Sequence, residues 1–199
     1  MTEQAVSAIR LGKPVILPTD TVYGLVAAPY RDEPARLLYT LKGRDESQPI
    51  ALMVPELHQL FELVPELRGR AELIARALLP GPFTLVFPNP AQRFRWLTGS
   101  RQDTIGVRVP ELPEPSAEIL RTVGAFAATS ANVTGGPEPA RLEDVPQALK
   151  SAVAAVVDGG DLPGTASTVL DFTGPEPRVL REGAAPSAEA LKHALSALA

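Results

Sequence analysis

The sequence contains no cysteine, which excludes disulfide bonds, thiolate catalysis and cysteine-ligated zinc. It contains only two histidines, His58 and His193. Both fall in helix-like segments, and neither stands near a serine and carboxylate pattern. A hydrolase with a Ser-His-Asp triad is therefore a poor candidate.

Long hydrophobic runs are also lacking, and none approaches the ~18 apolar residues of a membrane span. Glu3 stands where a secretory leader would carry cations, so we expect a cytoplasmic protein without a membrane partner. The net charge of −4 argues against a protein that coats nucleic acid through bulk charge. It leaves room for a local basic cleft.

Short apolar strands alternate with amphipathic helices along the 199 residues, which indicates an α/β or α+β sheet covered by helices. Several strands stand close together near the C-terminus, so we predict a mixed sheet within one domain. Helices are predicted at residues 2–11, 33–43, 57–79 (one broken or two adjacent), 116–123, 142–150 and 187–198. Strands are predicted at residues 14–19, 49–54, 83–87, 104–109, 125–130, 154–158, 167–172 and 178–182.

Two cations flank a glycine at the end of a predicted helix, in the segment Lys42-Gly43-Arg44. Residues i and i+2 share a side only in an extended chain, so a helix that stops at Gly43 lets both cations project together. Such a pair suits an oligophosphate, with Arg binding in bidentate fashion and Lys as a point charge. The alternative is an ordinary helix C-terminus followed by a loop cation.

Polar side chains also end or interrupt two apolar strands. Thr21, in PTDTVYGL, offers a hydroxyl at the C-terminal end of a strand, where open α/β sheets bind ligands. The same segment is compatible with a turn that Asp20 helps to start and Gly24 completes. Arg108 interrupts the strand TIGVRV and shares one face of it with Thr104. That face either points to solvent or has room for a carboxylate.

Two glycine-rich loops carry small polar groups. Ser130 and Asn132, in TSANVTGGP, suit a loop that approaches a ligand with its backbone, although a polar loop with an Asx-turn is the alternative. Ser167 opens a strand after another such loop, and Arg181 ends the next strand. No GxxxxGK[ST] segment occurs, so a P-loop is excluded.

The chain closely resembles the YrdC/TsaC family, the L-threonylcarbamoyladenylate synthases. The resemblance rests on the order and spacing of seven segments: PTDTVYGL, KGR, PGPFTLVF, TIGVRVP, TSAN, ASTV and LREG. The resemblance covers about residues 3–183. It implies a YrdC-like fold, a twisted open mixed β-sheet flanked by helices around a large basic cavity. The chain ends some sixteen residues after LREG, so we expect the short single-domain type over residues 1–199, without the additional C-terminal domain of some relatives.

The resemblance also implies an activity, the condensation of L-threonine, bicarbonate and ATP into threonylcarbamoyl-AMP and pyrophosphate. The product would pass to downstream tRNA threonylcarbamoyl-transferase proteins, which modify adenosine 37 of tRNAs that read codons beginning with A. A weak direct contact with tRNA is left open. The sequence shows no dedicated carboxylate cage for a metal, so Mg²⁺ is expected to arrive with ATP.

Residue roles follow from the same resemblance. Lys42 and Arg44 would be the catalytic pair. The residues expected to bind ATP are Lys42, Arg44, Gln48, Thr104, Ser130, Asn132, Glu138 and Arg181, and those expected to bind threonine are Thr21, Arg108 and Ser167. Some relatives have a histidine that contacts threonine where this chain has Met53, so the residue that replaces this contact is not predicted.

Two other classes of function remain open at this point. An RNA-binding module could use the same basic cavity, although the one Trp, three Tyr and six Phe are scattered and form no stacking stripe. A hydrolase of carbamoyl or acyl phosphates, or a regulatory domain, could retain the cavity without the synthesis.

Overall fold

We describe residues 2–198 from a computed structural model of the chain. This range contains seven α-helices and nine β-strands, with short 3-10 helices at Arg95–Leu97 and Leu142–Asp144. The helices are α1 (Thr2–Arg10), α2 (Asp32–Lys42), α3 (Leu57–Leu63), α4 (Arg70–Leu78), α5 (Ser116–Val123), α6 (Gln147–Ala152) and α7 (Ser187–Ser196). The strands are β1 (Val15–Pro18), β2 (Tyr23–Ala27), β3 (Ala51–Met53), β4 (Phe83–Pro88), β5 (Thr104–Arg108), β6 (Phe126–Ser130), β7 (Ala155–Val156), β8 (Thr168–Asp171) and β9 (Arg178–Arg181).

All nine strands belong to one open sheet in the order β7-β1-β2-β6-β3-β5-β4-β8-β9. The pairs β1/β7, β3/β5 and β4/β8 are parallel, and the other five neighbouring pairs are antiparallel. The predicted mixed sheet is therefore confirmed. Because β6 lies between β2 and β3, segments about a hundred residues apart in sequence become direct neighbours.

Each face of the sheet has its own hydrophobic core. On β1, Ile16 packs into one cluster with side chains from α2, α4 and α7, whereas Val15 and Leu17 pack into a second cluster with α1 and α5. This division follows from the alternation of side chains along a strand. The second face is covered by α1 and α5 at one end of the sheet only. The far end of that face, across β5, β4 and β8, is where the cavity described below lies.

Two expectations for the chain path were wrong. Gly24 does not complete a turn, because Tyr23–Ala27 form the fully buried strand β2, and the turn between β1 and β2 lies at residues 19–22. The helix predicted at residues 142–150 is divided, because Pro146 takes an extended conformation (ψ 132°) between a 3-10 helix and α6.

Among the residues that the structure describes, none of the helices combines the length and the apolar composition that crossing a membrane requires.

Candidate active site

A cavity of about 640 Å³ opens on the partly covered face of the sheet. Its charged lining consists of the cations Lys42, Arg44, Arg101, Arg108 and Arg181 and the single acid Glu138, so the expected basic cavity is confirmed. All the side chains assigned to ATP or threonine from the sequence line it: Thr21, Lys42, Arg44, Gln48, Thr104, Arg108, Ser130, Asn132, Glu138, Ser167 and Arg181. Which ligand each one contacts stays a prediction.

The Lys42-Gly43-Arg44 segment ends α2 as the sequence predicts. Gly43 adopts the left-handed conformation (φ 58°, ψ 38°), and its amide donates to the carbonyl of Thr40. The amide of Arg44 donates to the carbonyl of Tyr39 at 2.9 Å, which completes a Schellman motif. Glycine has no Cβ to oppose this conformation, so the chain can turn sharply and bring both cations to the cavity.

Lys42 is fully buried, and its ammonium group is directed at the loop after β6. Its Nζ lies 2.5 Å from the carbonyl oxygen of Ser130, 2.8 Å from that of Asn132 and 2.7 Å from Asn132 Oδ1. An ammonium group has three N–H donors, so these acceptors occupy all of them. Burial lowers the pKa of Lys42 to about 8, and nearby Arg44 contributes to the shift. Lys42 therefore fixes the loop and brings charge to it at the same time.

Ser130 and Asn132 form part of the same network. Ser130 Oγ donates to Asn132 Oδ1 at 2.7 Å, and Asn132 Nδ2 donates to the carbonyl of Gly136 at 2.7 Å. The amide of Thr134 donates to the carbonyl of Lys42 at 3.0 Å. Hydrogen bonds therefore run from the Lys42 side chain to the loop and from the loop back to the end of α2. This arrangement fits a preorganised loop better than the simple Asx-turn that was the alternative.

Arg44 and Arg181 both line the cavity. Burial lowers the pKa of both guanidinium groups. The charge of Arg181 also lowers the pKa of Arg44, and the charge of Arg108 lowers that of Arg181. Arg44 Nη2 donates to the carbonyl of Pro49 at 2.9 Å, while its buried Nε has no protein partner among the described residues. Glu138 favours the charged state of Lys42, Arg44 and Arg181, yet its own buried Oε2 is without a partner in the described chain. Unpaired donors among clustered cations suit an anionic ligand.

Hydroxyl groups also line the cavity. Ser167 Oγ lies 2.8 Å from Thr84 Oγ1 and accepts from Arg181 Nη2 at 3.1 Å. Thr21 Oγ1 lies 3.1 Å from the hydroxyl of Thr19, in the turn between β1 and β2. Thr104 at the start of β5 donates its hydroxyl hydrogen to the carbonyl of Arg101 at 2.9 Å.

Arg108 forms the contact that sequence reasoning missed. Its Nη2 donates to both carboxylate oxygens of Asp20, at 2.7 and 3.0 Å, and both side chains are buried. Asp20 appears in the sequence as a turn residue between two threonines. The only signal for a further role was an acidic side chain directly after an apolar strand. Met53 is fully buried beside Arg108, since the two residues are partners in the β3/β5 register.

Two positions differ from the rest of the predicted set. Gln48 is exposed at the rim of the cavity. Met53 lines the cavity but offers only a thioether, so any contact it makes with a ligand would be apolar. Thr84 and Arg101 also line the cavity and were not predicted. Within residues 2–198, no group of three or more His, Cys, Asp or Glu side chains could hold a metal ion.

The comparisons with known proteins agree with this geometry. The family model for Sua5, yciO and yrdC proteins, described as "Telomere recombination", matches residues 7–183. The chain is 37% identical over 180 residues to a Mycobacterium tuberculosis protein that is provisionally named a threonylcarbamoyl-AMP synthase, covering 90% of this chain and 82% of that one. It is 35% identical over 186 residues to the threonylcarbamoyl-AMP synthase of Pyrococcus abyssi, covering 93% of this chain and 54% of that one.

A solved structure is similar over the same region. The crystal structure of Pyrococcus abyssi Sua5 complexed with L-threonine aligns with a TM-score of 0.87 at 34% identity and covers 96% of this chain. This chain spans 56% of that one, so the likeness concerns part of the Pyrococcus protein. Since the family model covers most of the chain and the fold agrees, the chain belongs to the Sua5/YciO/YrdC family.

Proposed function

We propose that the protein is an L-threonylcarbamoyladenylate synthase, which joins L-threonine, bicarbonate and ATP into threonylcarbamoyl-AMP and pyrophosphate. The observation that carries this proposal is the convergence of Lys42, Arg44, Arg108 and Arg181 on one cavity. A volume of about 640 Å³ lies within the usual range for small-molecule sites and leaves room for an amino acid beside a nucleotide. The threonine-bound Pyrococcus relative supports the amino-acid part of the proposal.

The cavity offers separate regions for the two larger substrates. Arg44, with its unpartnered Nε, and the hydroxyl and amide groups of Ser130 and Asn132 suit the phosphates of ATP. Arg108 suits the carboxylate of threonine, with Thr21 and Ser167 as hydroxyl partners on the same side of the sheet. Lys42 supports the phosphate region through the loop that it fixes and through its charge.

The chemistry requires positioning more than a protein nucleophile. The neutral amine of threonine takes up bicarbonate with loss of water, which gives a carbamate. One carbamate oxygen then forms a bond to the α-phosphorus of ATP, the bond from that phosphorus to the β-phosphate bridging oxygen breaks, and pyrophosphate leaves. Holding the reactants in line can lower the barrier by roughly 7–11 kcal/mol. Arg44, Arg181 and Lys42 stabilise the charge that gathers on the leaving group.

Magnesium enters this proposal as part of the ATP complex. Mg²⁺ is usually held by one or two carboxylates together with substrate phosphates. Glu138 is the one acid among the residues that line the cavity, and its buried Oε2 has no partner within residues 2–198. This lone carboxylate fits a metal ion that is delivered by the nucleotide.

The destination of the product is part of the same proposal. A mixed anhydride between a carbamate and AMP is reactive, so it must pass to an acceptor soon after release. We propose tRNA adenosine 37 as this acceptor, reached through downstream transferase proteins. The cytoplasm is the expected location, since ATP and tRNA are both present there.

The experiment that tests the proposal is pyrophosphate release with each substrate omitted in turn. Release should require ATP, L-threonine and bicarbonate together. D-threonine should not substitute, because inversion at the α-carbon would direct the carbamate away from the α-phosphorus while the carboxylate is held by Arg108. Equal release without threonine would replace the synthase with a hydrolase. No turnover, combined with RNA binding that weakens steeply with salt, would favour an RNA-binding module.

A further inference from the structure

The Arg108 guanidinium group lies between the cavity and the carboxylate of Asp20. Arg108 lines the cavity, whereas Asp20 is not among the residues that line it. The carboxylate of Asp20 therefore binds Nη2 from the protein side, at 2.7 and 3.0 Å. The buried Nε of Arg108 has no partner among the described residues. One donor of the group is thus held in place while another is left for a ligand.

The turn that carries Asp20 is itself fixed by hydrogen bonds. Thr19 Oγ1 accepts from the amides of Thr21 and Val22 at 3.2 and 3.3 Å and donates to the carbonyl of Val22 at 2.7 Å. Beyond it, the amide of Gly164 donates to the carbonyl of Thr21 at 2.9 Å. A carboxylate on such a turn has little freedom to move away from its partner.

Burial makes this ion pair sensitive to the loss of either member. Only 9% of each side chain is exposed, so water screens the pair weakly. Without Asp20, Arg108 would lose its ion-pair partner while the neighbouring cation Arg181 stays in place, and its guanidinium group could turn toward other acceptors. The pair therefore controls both the orientation and the charge that a ligand meets.

We infer that Asp20 is a positioning residue for amino-acid recognition. It holds Nη2 of Arg108 so that the rest of the guanidinium group, with its unpartnered Nε–H, is presented to the α-carboxylate of the amino-acid substrate. The inference rests on the proposed function, because it takes an amino acid as the ligand of Arg108. It adds that the acid of the β1–β2 turn sets affinity for the amino acid without touching it, and that ATP affinity does not depend on it.

The first test uses the unaltered protein. The side-chain Nε–H signals of arginine are recorded by NMR during titration with L-threonine and with L-threonine amide, which lacks the carboxylate. The Arg108 signal is assigned as the one that disappears in Arg108→Lys. It should shift with L-threonine and stay in place with the amide. A shift of equal size with both compounds, or with neither while threonine binds, would overturn the inference.

The second test uses Asp20→Asn, which keeps an oxygen acceptor but removes the charge, together with Asp20→Ala. The Kd for L-threonine should rise about tenfold or more, as expected when a hydrogen bond to a charged group is lost or misdirected. The Kd for ATP should stay within about twofold, because the ATP-side groups are separate from Asp20. The preference for L-threonine over its amide should fall by the same factor as the affinity, which a merely structural defect would not produce.

Glu66→Gln is the matched control. Glu66 forms an ion pair with Arg93 Nε at 2.7 Å, and neither residue lines the cavity. This variant should bind threonine and ATP like the unaltered protein. A double variant of Asp20→Asn with Arg108→Ala should bind threonine no more weakly than Arg108→Ala alone, because the first residue acts through the second.

The outcomes separate this inference from the proposed function. If the unaltered protein does not bind threonine, the proposed function fails. If it binds threonine, and both Asp20 variants bind it equally well or lose ATP affinity in parallel, only the inference about Asp20 fails. If Asp20→Ala does not fold, Asp20→Asn and the NMR titration of the unaltered protein decide the matter.

Discussion

Lys42 Nζ and Asn132 Oδ1 lie 2.7 Å apart although they are 90 positions apart in the chain. This contact joins the end of α2 to the loop after β6, and it lies at the wall of the cavity. Because the same ammonium group also binds two backbone carbonyls, it links the folding of the loop to the charge of the site. A change at Lys42 should therefore affect stability and ligand binding together.

Lys42→Ala should lower the free energy of unfolding by about 1–3 kcal/mol, because three buried acceptors lose their donor. Relief from burying a charge offsets part of this loss, so the protein should remain folded. ATP binding and pyrophosphate release should both be abolished or nearly so. Urea unfolding, calorimetric titration with ATP and the pyrophosphate assay measure the three quantities.

Lys150→Ala provides the comparison for this variant. Lys150 also donates to a backbone carbonyl, that of Leu142 at 3.2 Å, but it does not line the cavity. It should change stability slightly and leave ATP binding intact. Normal ATP binding in Lys42→Ala would mean that neither the loop nor the charge of Lys42 contributes to the phosphate site.

The pKa of Lys42, lowered to about 8 by burial, predicts a pH dependence for ATP binding. A lysine is charged only below its pKa, so the free protein loses this charge as the pH rises through about 8. The anionic nucleotide favours the charged form, and its affinity should therefore fall above this pH, by at most about tenfold per pH unit. Calorimetric titrations between about pH 7 and pH 9.5 measure the effect, since the arginines stay charged throughout this interval.

Lys42→Met removes the titrating group while keeping a long apolar side chain. Whatever affinity for ATP remains in this variant should be independent of pH over the same interval. An equal fall in affinity in Lys42→Met would assign the pH dependence to another group, and a constant affinity in the unaltered protein would show that the charge of Lys42 does not contribute.

The helix stop at Gly43 could be predicted from the sequence because it depends on neighbours within one turn of helix. The shared face of Thr104 and Arg108 could be predicted as well, because strand periodicity is local. The strand β2 could not, since Gly24 and the polar turn before it resemble a loop, and only pairing with β1 and β6 makes its backbone a strand.

Contacts between segments far apart in the sequence could not be predicted from local sequence patterns. The pairing of Asp20 with Arg108 spans 88 positions and depends on the strand order of the sheet. The sequence identified Lys42 as a cation near a ligand, but its three acceptors appear only when β6 lies next to β2 and β3. Resemblance to a family supplied the set of cavity residues, whereas the bonds among them required the structure.

Arg44→Ala should weaken ATP binding by about tenfold or more while leaving the fold intact. Within residues 2–198 its guanidinium group makes one hydrogen bond, with the carbonyl of Pro49, and it lies near enough to Arg181 for that charge to lower its pKa. Arg44→Lys should restore only part of the affinity, because an ammonium group lacks the planar pair of donors that fits a phosphate. Calorimetric Kd values for ATP and threonine measure both variants, and the threonine value should not change.

Arg36→Ala is the control on the same helix. Arg36 is exposed and pairs with Asp32 at 3.5 Å, four positions earlier, so its loss should leave ATP affinity unaltered. If Arg44→Ala binds ATP as tightly as Arg36→Ala does, the bidentate role assigned to Arg44 is wrong.

Tyr23→Phe should lower stability without affecting either substrate. The ring of Tyr23 is fully buried in β2, and its hydroxyl group accepts from the amide of Gly159 at 2.9 Å. Asp158 Oδ1 and the carbonyl of Gly160, at 2.9 and 3.0 Å, compete for its single hydrogen. Removing the hydroxyl takes one partner from each of these groups, but residues 158–160 are exposed and water can replace part of the loss. We therefore expect a cost of about 0.5–1.5 kcal/mol, with Tm lower by roughly 2–4 °C per kcal/mol in a chain of this size.

The comparison for this variant is Tyr30→Phe, since 49% of Tyr30 is exposed and its loss of a hydroxyl should change stability by less than about 0.5 kcal/mol. None of the residues bonded to the Tyr23 hydroxyl lines the cavity, so the Kd values for ATP and threonine should be the same in both variants. Equal stability in the two variants would show that water replaces the lost hydroxyl. Gly164, in the same connection as residues 158–160, donates its amide to the carbonyl of Thr21. A change in substrate affinity confined to Tyr23→Phe would therefore show that this connection holds the turn of Thr21 in place.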